Sequence, residues 1–104
     1  MTIKLIDFKS AAIFNTKKKK NFMTPLMKDV VGSAYYIAPE ILNSDYDEKC
    51  DIWSIGVIFY MLIVGKPPIQ GDNELEIIKK VRDAQINFDV PEINEMTKEG
   101  KTLL

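Results

Sequence analysis

"DYDEKCDIWSIGVIFYMLIVGKPP", Asp45 to Pro68, is the stretch on which the fold turns. Asp47 is a candidate helix N-cap, because its carboxylate can accept a backbone N–H left over at the first turn. Glu48 follows in that turn, where the helix dipole favours negative charge. Gly65 suits the left-handed position just past a helix end, and Pro67 and Pro68 prevent continuation. The predicted helix runs over 48–64. Between its ends the side chains from Ile52 to Val64 are apolar on almost every face. A helix apolar all round needs neighbours all round. A chain of 104 residues makes one domain at most, or part of a larger one. The helix is therefore expected to be the central element of a body larger than this chain. In the isolated chain it is expected to leave apolar surface uncovered and to favour aggregation.

Downstream, "GDNELEIIKKVRDAQ" (71–85) predicts an amphipathic helix, with Asn73 and Glu76 spaced as in a capping box. Leu75, Ile78 and Val81 form its expected apolar stripe, with Ile77 beside it. "INFDVPEI" (86–93) is expected to be extended or irregular, limited by Pro91. "TKEGKTLL" (97–104) resembles the first turns of another helix with Thr97 as N-cap. Upstream, "IKLIDF" (3–8) has strand composition. Residues 9–31 show little helical or strand periodicity, as in a long loop. The expected fold class is mainly α, with one short N-terminal strand and a long loop.

Bulk composition removes several function classes. There is no histidine, so imidazole bases, Ser-His triads and His-ligated zinc are out. The single cysteine, Cys50, permits no internal disulfide and points to a reducing, cytoplasmic setting. Net charge is −1, with +6 over residues 1–28 and −7 over the remainder. The basic end is mostly the run Lys17–Lys20, which lacks interleaved aromatics and reads as a solvated loop. No nucleic-acid partner is expected, and no membrane partner: the longest apolar run, Ile55–Val64, falls far short of the roughly 20 residues a bilayer span needs. "MTIKLIDF" turns polar too soon for a secretory signal. No internal repeat and no calcium-loop pattern is present.

The remaining motifs carry a resemblance. Asp7-Phe8, a loop, and then "APE" at Ala38-Pro39-Glu40 follow the order of two protein-kinase signatures. "GSAYYIAPEIL" (32–42) looks like the end of a kinase activation segment. "YDEKCDIWSIGVIFYMLIVGKPP" resembles the family's central buried helix, and "DNELEIIKKV" the helix after it. The chain is similar to protein kinases of the serine/threonine type, above all to calcium/calmodulin-dependent and calcium-dependent ones, from residue 3 to 104. The resemblance implies a partial catalytic domain over 1–104, part of it from the helical C-terminal lobe. Its parts would be the strand and Asp-Phe motif (1–8), the activation segment (9–40) and a helical-lobe segment (41–104).

The same resemblance implies the chemistry. The complete domain would use ATP and Mg2+ to transfer the γ-phosphoryl group to a protein serine or threonine. Asp7 would be the nucleotide-associated magnesium ligand, a carboxylate oxygen suiting a hard cation. Phe8 reads as a core residue. Lys9 stands where the family has glycine, and a lysine held in a left-handed conformation would be strained by about 1 kcal/mol. Gly32, Ser33 and Tyr36 would belong to the wall against which a peptide substrate lies, with Ser33 facing the catalytic loop. Glu40 would pair with an arginine beyond this chain, and Pro39 belongs with it to the structural motif. Asp51 would accept hydrogen bonds from the catalytic-loop backbone, while Trp53 and Gly56 are packing residues. Thr24 is a candidate activating phosphosite. An upstream kinase or a calcium sensor would be regulatory partners besides the protein substrate. The chain contains no Gly-rich loop, no lysine-bearing strand and no His-Arg-Asp loop, so no catalytic base is assigned. The rival reading is a non-catalytic interaction module or degenerate kinase that binds a protein partner through the 32–42 wall and the 74–84 helix.

Overall fold

The computed structural model describes residues 1–11, 34–43 and 46–104. The chain divides into two compact units, Met1–Val31 and Gly32–Leu104. In the first unit every described residue is exposed, and residues 1–7 join no ladder. The strand expected over 1–8 is therefore not formed. A strand gains little from composition alone: its N–H and C=O groups need a partner edge, and no strand exists among the described residues. A short 3-10 turn, Phe8–Ser10, follows, closed by the Ala11 N–H donating to the Phe8 carbonyl at 3.0 Å.

The second unit is helical. It opens with two 3-10 turns, Ala34–Tyr36 and Pro39–Asn43, and continues through four helices. These are α1 (Cys50–Val64), α2 (Glu74–Arg82), α3 (Pro91–Asn94) and α4 (Lys98–Leu103). Helix α1 begins two residues later than predicted. Asp47 organises the turn before it instead: its Oδ1 accepts from the Lys49 N–H at 3.0 Å and its carbonyl from the Cys50 N–H at 3.2 Å. The other end falls where expected. Gly65 is left-handed (φ 77°) and its N–H donates to the Met61 carbonyl at 2.9 Å.

Helix α2 is capped as its sequence predicts. Asn73 Oδ1 accepts from the Glu76 N–H and Glu76 Oε2 from the Asp72 N–H, both at 2.9 Å. Glu76 also pairs with Lys80 at 2.8 Å, and the Lys80 ammonium, followed by the Asp72 N–H, holds the Glu76 carboxyl below its ordinary pKa. At the far end Ala84 N–H donates to the Val81 carbonyl and Gln85 N–H to the Lys80 carbonyl, a Schellman closure with Ala84 at φ 48°. Thr97 caps α4 by accepting from the Gly100 N–H at 3.2 Å. Residues 86–90 carry no helix or strand, as expected, and Pro91 ends that stretch. It takes the first position of α3, where its missing N–H costs nothing.

The core sits where α2 meets the 3-10 turns. Ala34, Ile69, Ile77 and Val81 are buried together, with Tyr35, Leu42, Trp53, Ile78 and Ile86 packed against them. The buried face of α2 thus centres on Ile77 and Val81, one turn apart, while Leu75 from the expected stripe stays 80% exposed. On α1, Val57 and Tyr60 are buried, and α3 packs against this helix with Ile93 buried. Tyr60 ties down the segment after α2: its hydroxyl donates to the Asn87 carbonyl at 3.0 Å, and its ring meets Phe88 edge-on at 6.4 Å. The other side of α1 is bare. Ile52, Ile55, Ile58 and Leu62 are all exposed, Leu62 by 79%.

That stripe should bind a hydrophobic dye such as ANS and drive association of the isolated chain. Replacing Ile55 and Leu62 together by glutamate is expected to lower dye fluorescence and light scattering without loss of helical circular dichroism. A cooperative, monomeric melting transition of the unmodified chain would contradict the expectation. At the end of α2, Ala84→Gly should relieve the left-handed alanine by about 1 kcal/mol, read as slower amide hydrogen exchange at residues 84 and 85.

Candidate functional site

Asp7 is left-handed (φ 61°, ψ 67°) and caps the Phe8–Ser10 turn. Aspartate tolerates this region better than most residues because its short polar side chain can bond locally. The strain expected at Lys9 is absent: Lys9 lies inside the 3-10 turn, and the positive φ falls on Asp7. The Lys9 ammonium instead approaches the Asp7 carboxylate, Nζ to Oδ2 at 3.6 Å. Phe8, expected in a core, is 66% exposed. No apolar neighbour encloses it among the described residues of its unit, all of which are exposed.

The second unit gathers most of the other named residues. Tyr36 ends the first 3-10 turn with its side chain at the surface. Its carbonyl accepts a hydrogen bond from Ser54 Oγ at 2.8 Å, and the same hydroxyl reaches the Cys50 carbonyl at 3.3 Å. A side chain of α1 thereby holds the backbone of the 34–36 turn. Ala38 is fully buried, and its carbonyl accepts from the Ile41 N–H at 3.1 Å, which bends the chain through half-buried Pro39 and Glu40. The turns pack on both α1 and α2. Small residues at 34 and 38 are what let this backbone lie so close to the helices.

Beside that bend lies a cavity of about 530 Å³. Glu40 and Lys49 line it, along with Trp53, Gly56, Tyr60 and Phe88. Glu40 makes no ion pair among the described residues. Trp53 Nε1 is buried without an acceptor. A Cβ placed on Gly56 would meet nothing within 4 Å, so no packing among the described residues demands glycine there. Asp51 lies exposed in the first turn of α1. Its Oδ1 faces the Cys50 thiol at 3.9 Å. Burial, and then the charges of Asp51 and Glu40, push that thiol above its ordinary pKa. Thr24, Gly32 and Ser33 lie outside the described residues.

Two structural residues escaped the sequence reading. Ser54 is the tether of the 34–36 turn, and the available signal was a lone hydroxyl inside an apolar helix. Tyr60 anchors Asn87, and a phenol in a buried helix signals a need for a polar partner. As for a metal, no cluster of three or more acidic or cysteine side chains exists among the described residues. Magnesium bound with a nucleotide needs only one or two carboxylates, the rest coming from phosphates and water. The exposed Asp7 carboxylate fits that requirement as one ligand.

Comparison with known proteins bears on all of this. A family model described as the protein kinase domain matches residues 1–104. Calcium-dependent protein kinase 4 of Plasmodium berghei is 47% identical over 104 residues, all of this chain and 18% of that protein. Calcium-dependent protein kinase 3 of the same species is 41% identical over 102 residues, 98% of this chain and 17% of the relative. Calcium-dependent protein kinase 12 of Arabidopsis thaliana is 41% identical over 83 residues, 75% of this chain and 17% of the relative. The chain thus spans less than a fifth of the length of these curated relatives.

The Ser54 tether makes a measurable claim. Ser54→Ala should cost about 1 kcal/mol, the net worth of one hydrogen bond. It should also loosen the 34–43 segment, seen as faster limited proteolysis there than in the parent chain, with the helical signal retained.

Proposed function

The chain belongs to the protein kinase domain family, and from that membership we propose that it forms the activation segment and part of the helical lobe of a serine/threonine protein kinase. The parent reaction transfers the ATP γ-phosphoryl group to a protein hydroxyl. The observation that carries this reading is the ordered set Asp7-Phe8, Ala38-Pro39-Glu40 and the apolar α1, within a full-length match to calcium-dependent protein kinases. The serine/threonine preference and a link to calcium rest on the names of those relatives.

Within this reading Asp7 is the residue that holds magnesium with the nucleotide. The bound ion supplies charge neutralisation across the phosphates during transfer. Tyr36, with Gly32 and Ser33, forms the wall that positions the protein substrate. Ser54 fixes the Tyr36 backbone of that wall, and buried Ala38 fixes its end. Glu40, without a charge partner among the described residues, waits on a cation from outside them. Thr24 remains a proposed phosphosite. The chain itself carries no His-Arg-Asp loop and no Gly-rich loop, so by itself it lacks the proton acceptor and the nucleotide cradle that phosphoryl transfer needs. The bare α1 stripe favours a second reading, in which this chain acts by binding a protein partner.

Two assays test the proposal. The isolated chain with ATP and a basic serine/threonine peptide should give no phosphorylation above a no-enzyme blank. A chimaera carrying residues 1–104 in place of the matching segment of the Plasmodium berghei relative should phosphorylate the peptide. Asp7→Asn in that chimaera should cut turnover by about a hundredfold or more, the scale on which metal stabilisation acts. A folded, inactive chimaera would favour the interaction module.

A further inference from the structure

We propose that Lys9 acts as a built-in cation for Asp7, competing with a divalent metal for the same carboxylate and thereby raising the metal concentration this site requires. The proposal rests on the reading of Asp7 as the magnesium ligand. Its ground is the placement of Nζ 3.6 Å from Asp7 Oδ2. The contact is local. Left-handed Asp7 and the Phe8–Ser10 turn bring the side chains of residues 7 and 9 together, with no other element at the contact among the described residues.

A carboxylate carries one negative charge. An ammonium beside it weakens the field that draws a second cation, and a divalent ion approaching the same oxygens meets a like charge. Both side chains are largely exposed, 72% for Lys9 and 61% for Asp7. Water screens the pair, so it contributes little to stability and the ammonium can be displaced. Displacement is nonetheless a competition, and the metal must win it. A neutral residue at position 9 would leave Asp7 uncontested. The effect depends on charge, so it is sensitive to ionic strength.

Manganese is the probe, because its paramagnetism broadens the resonances of nearby amides even at low occupancy. It is titrated into the 104-residue chain carrying Ile55→Glu and Leu62→Glu, which limit its association, while the Asp7 and Phe8 amide signals are followed. Lys9→Met should strengthen the apparent manganese affinity about two- to five-fold, the range of an exposed ion pair. Lys9→Arg should behave like the parent. The gap between parent and Lys9→Met should close as salt approaches about 1 M, where screening acts within roughly 3 Å. Asp7→Asn should abolish the broadening. Neither side chain is packed in a core, so these variants leave the helices untouched. Equal or weaker manganese binding by Lys9→Met, with broadening that still depends on Asp7, overturns this inference alone. Broadening that persists in Asp7→Asn, or is absent in every variant, overturns Asp7 as the metal ligand and this inference with it.

Discussion

Helix α1 is apolar on nearly every face, and a surface of that kind has to be enclosed. The second unit encloses it on one side. The 3-10 turns, the segment after α2 and helix α3 pack there, and Val57 and Tyr60 are buried. Ile52, Ile55, Ile58 and Leu62 on the other side meet water. The rest of the unit follows from the covered side. Ser54 can reach the Tyr36 carbonyl only because α1 is held against the 34–36 turn, and Ala34 and Ala38 permit that closeness by being small. The uncovered side is what a kinase body larger than this unit would fill, in keeping with a chain that matches less than a fifth of its relatives.

The chemistry falls to different kinds of structure. Asp7 and Lys9 are set by one turn of backbone, with their charged groups 3.6 Å apart. The 34–43 turns are set by packing, through buried Ala38 and the core around Ile77 and Val81. Glu40, Lys49, Trp53 and Gly56 share a cavity in which, among the described residues, the indole N–H meets no acceptor and the glycine has open space above it. Asp51 is exposed at the first turn of α1, with the Cys50 thiol 3.9 Å from its Oδ1.

What the sequence determined by itself was three helix ends whose signals act within about four residues along the chain. The Gly65 stop, the Asn73–Glu76 cap and the Thr97 cap stand where their residue types put them, because each satisfies backbone groups of its own helix end. The order of the kinase signatures was equally legible, and the family followed from it. Tertiary structure decided the rest. It chose Ile77 and Val81 over Leu75 as the buried face of α2, turned Pro91 into a helix start and gave Ser54 its acceptor. It also left "IKLIDF" without a strand and Phe8 without a core. Burial and ladder formation need a surface from a distant part of the chain, and no local pattern of residues can show whether that surface is there.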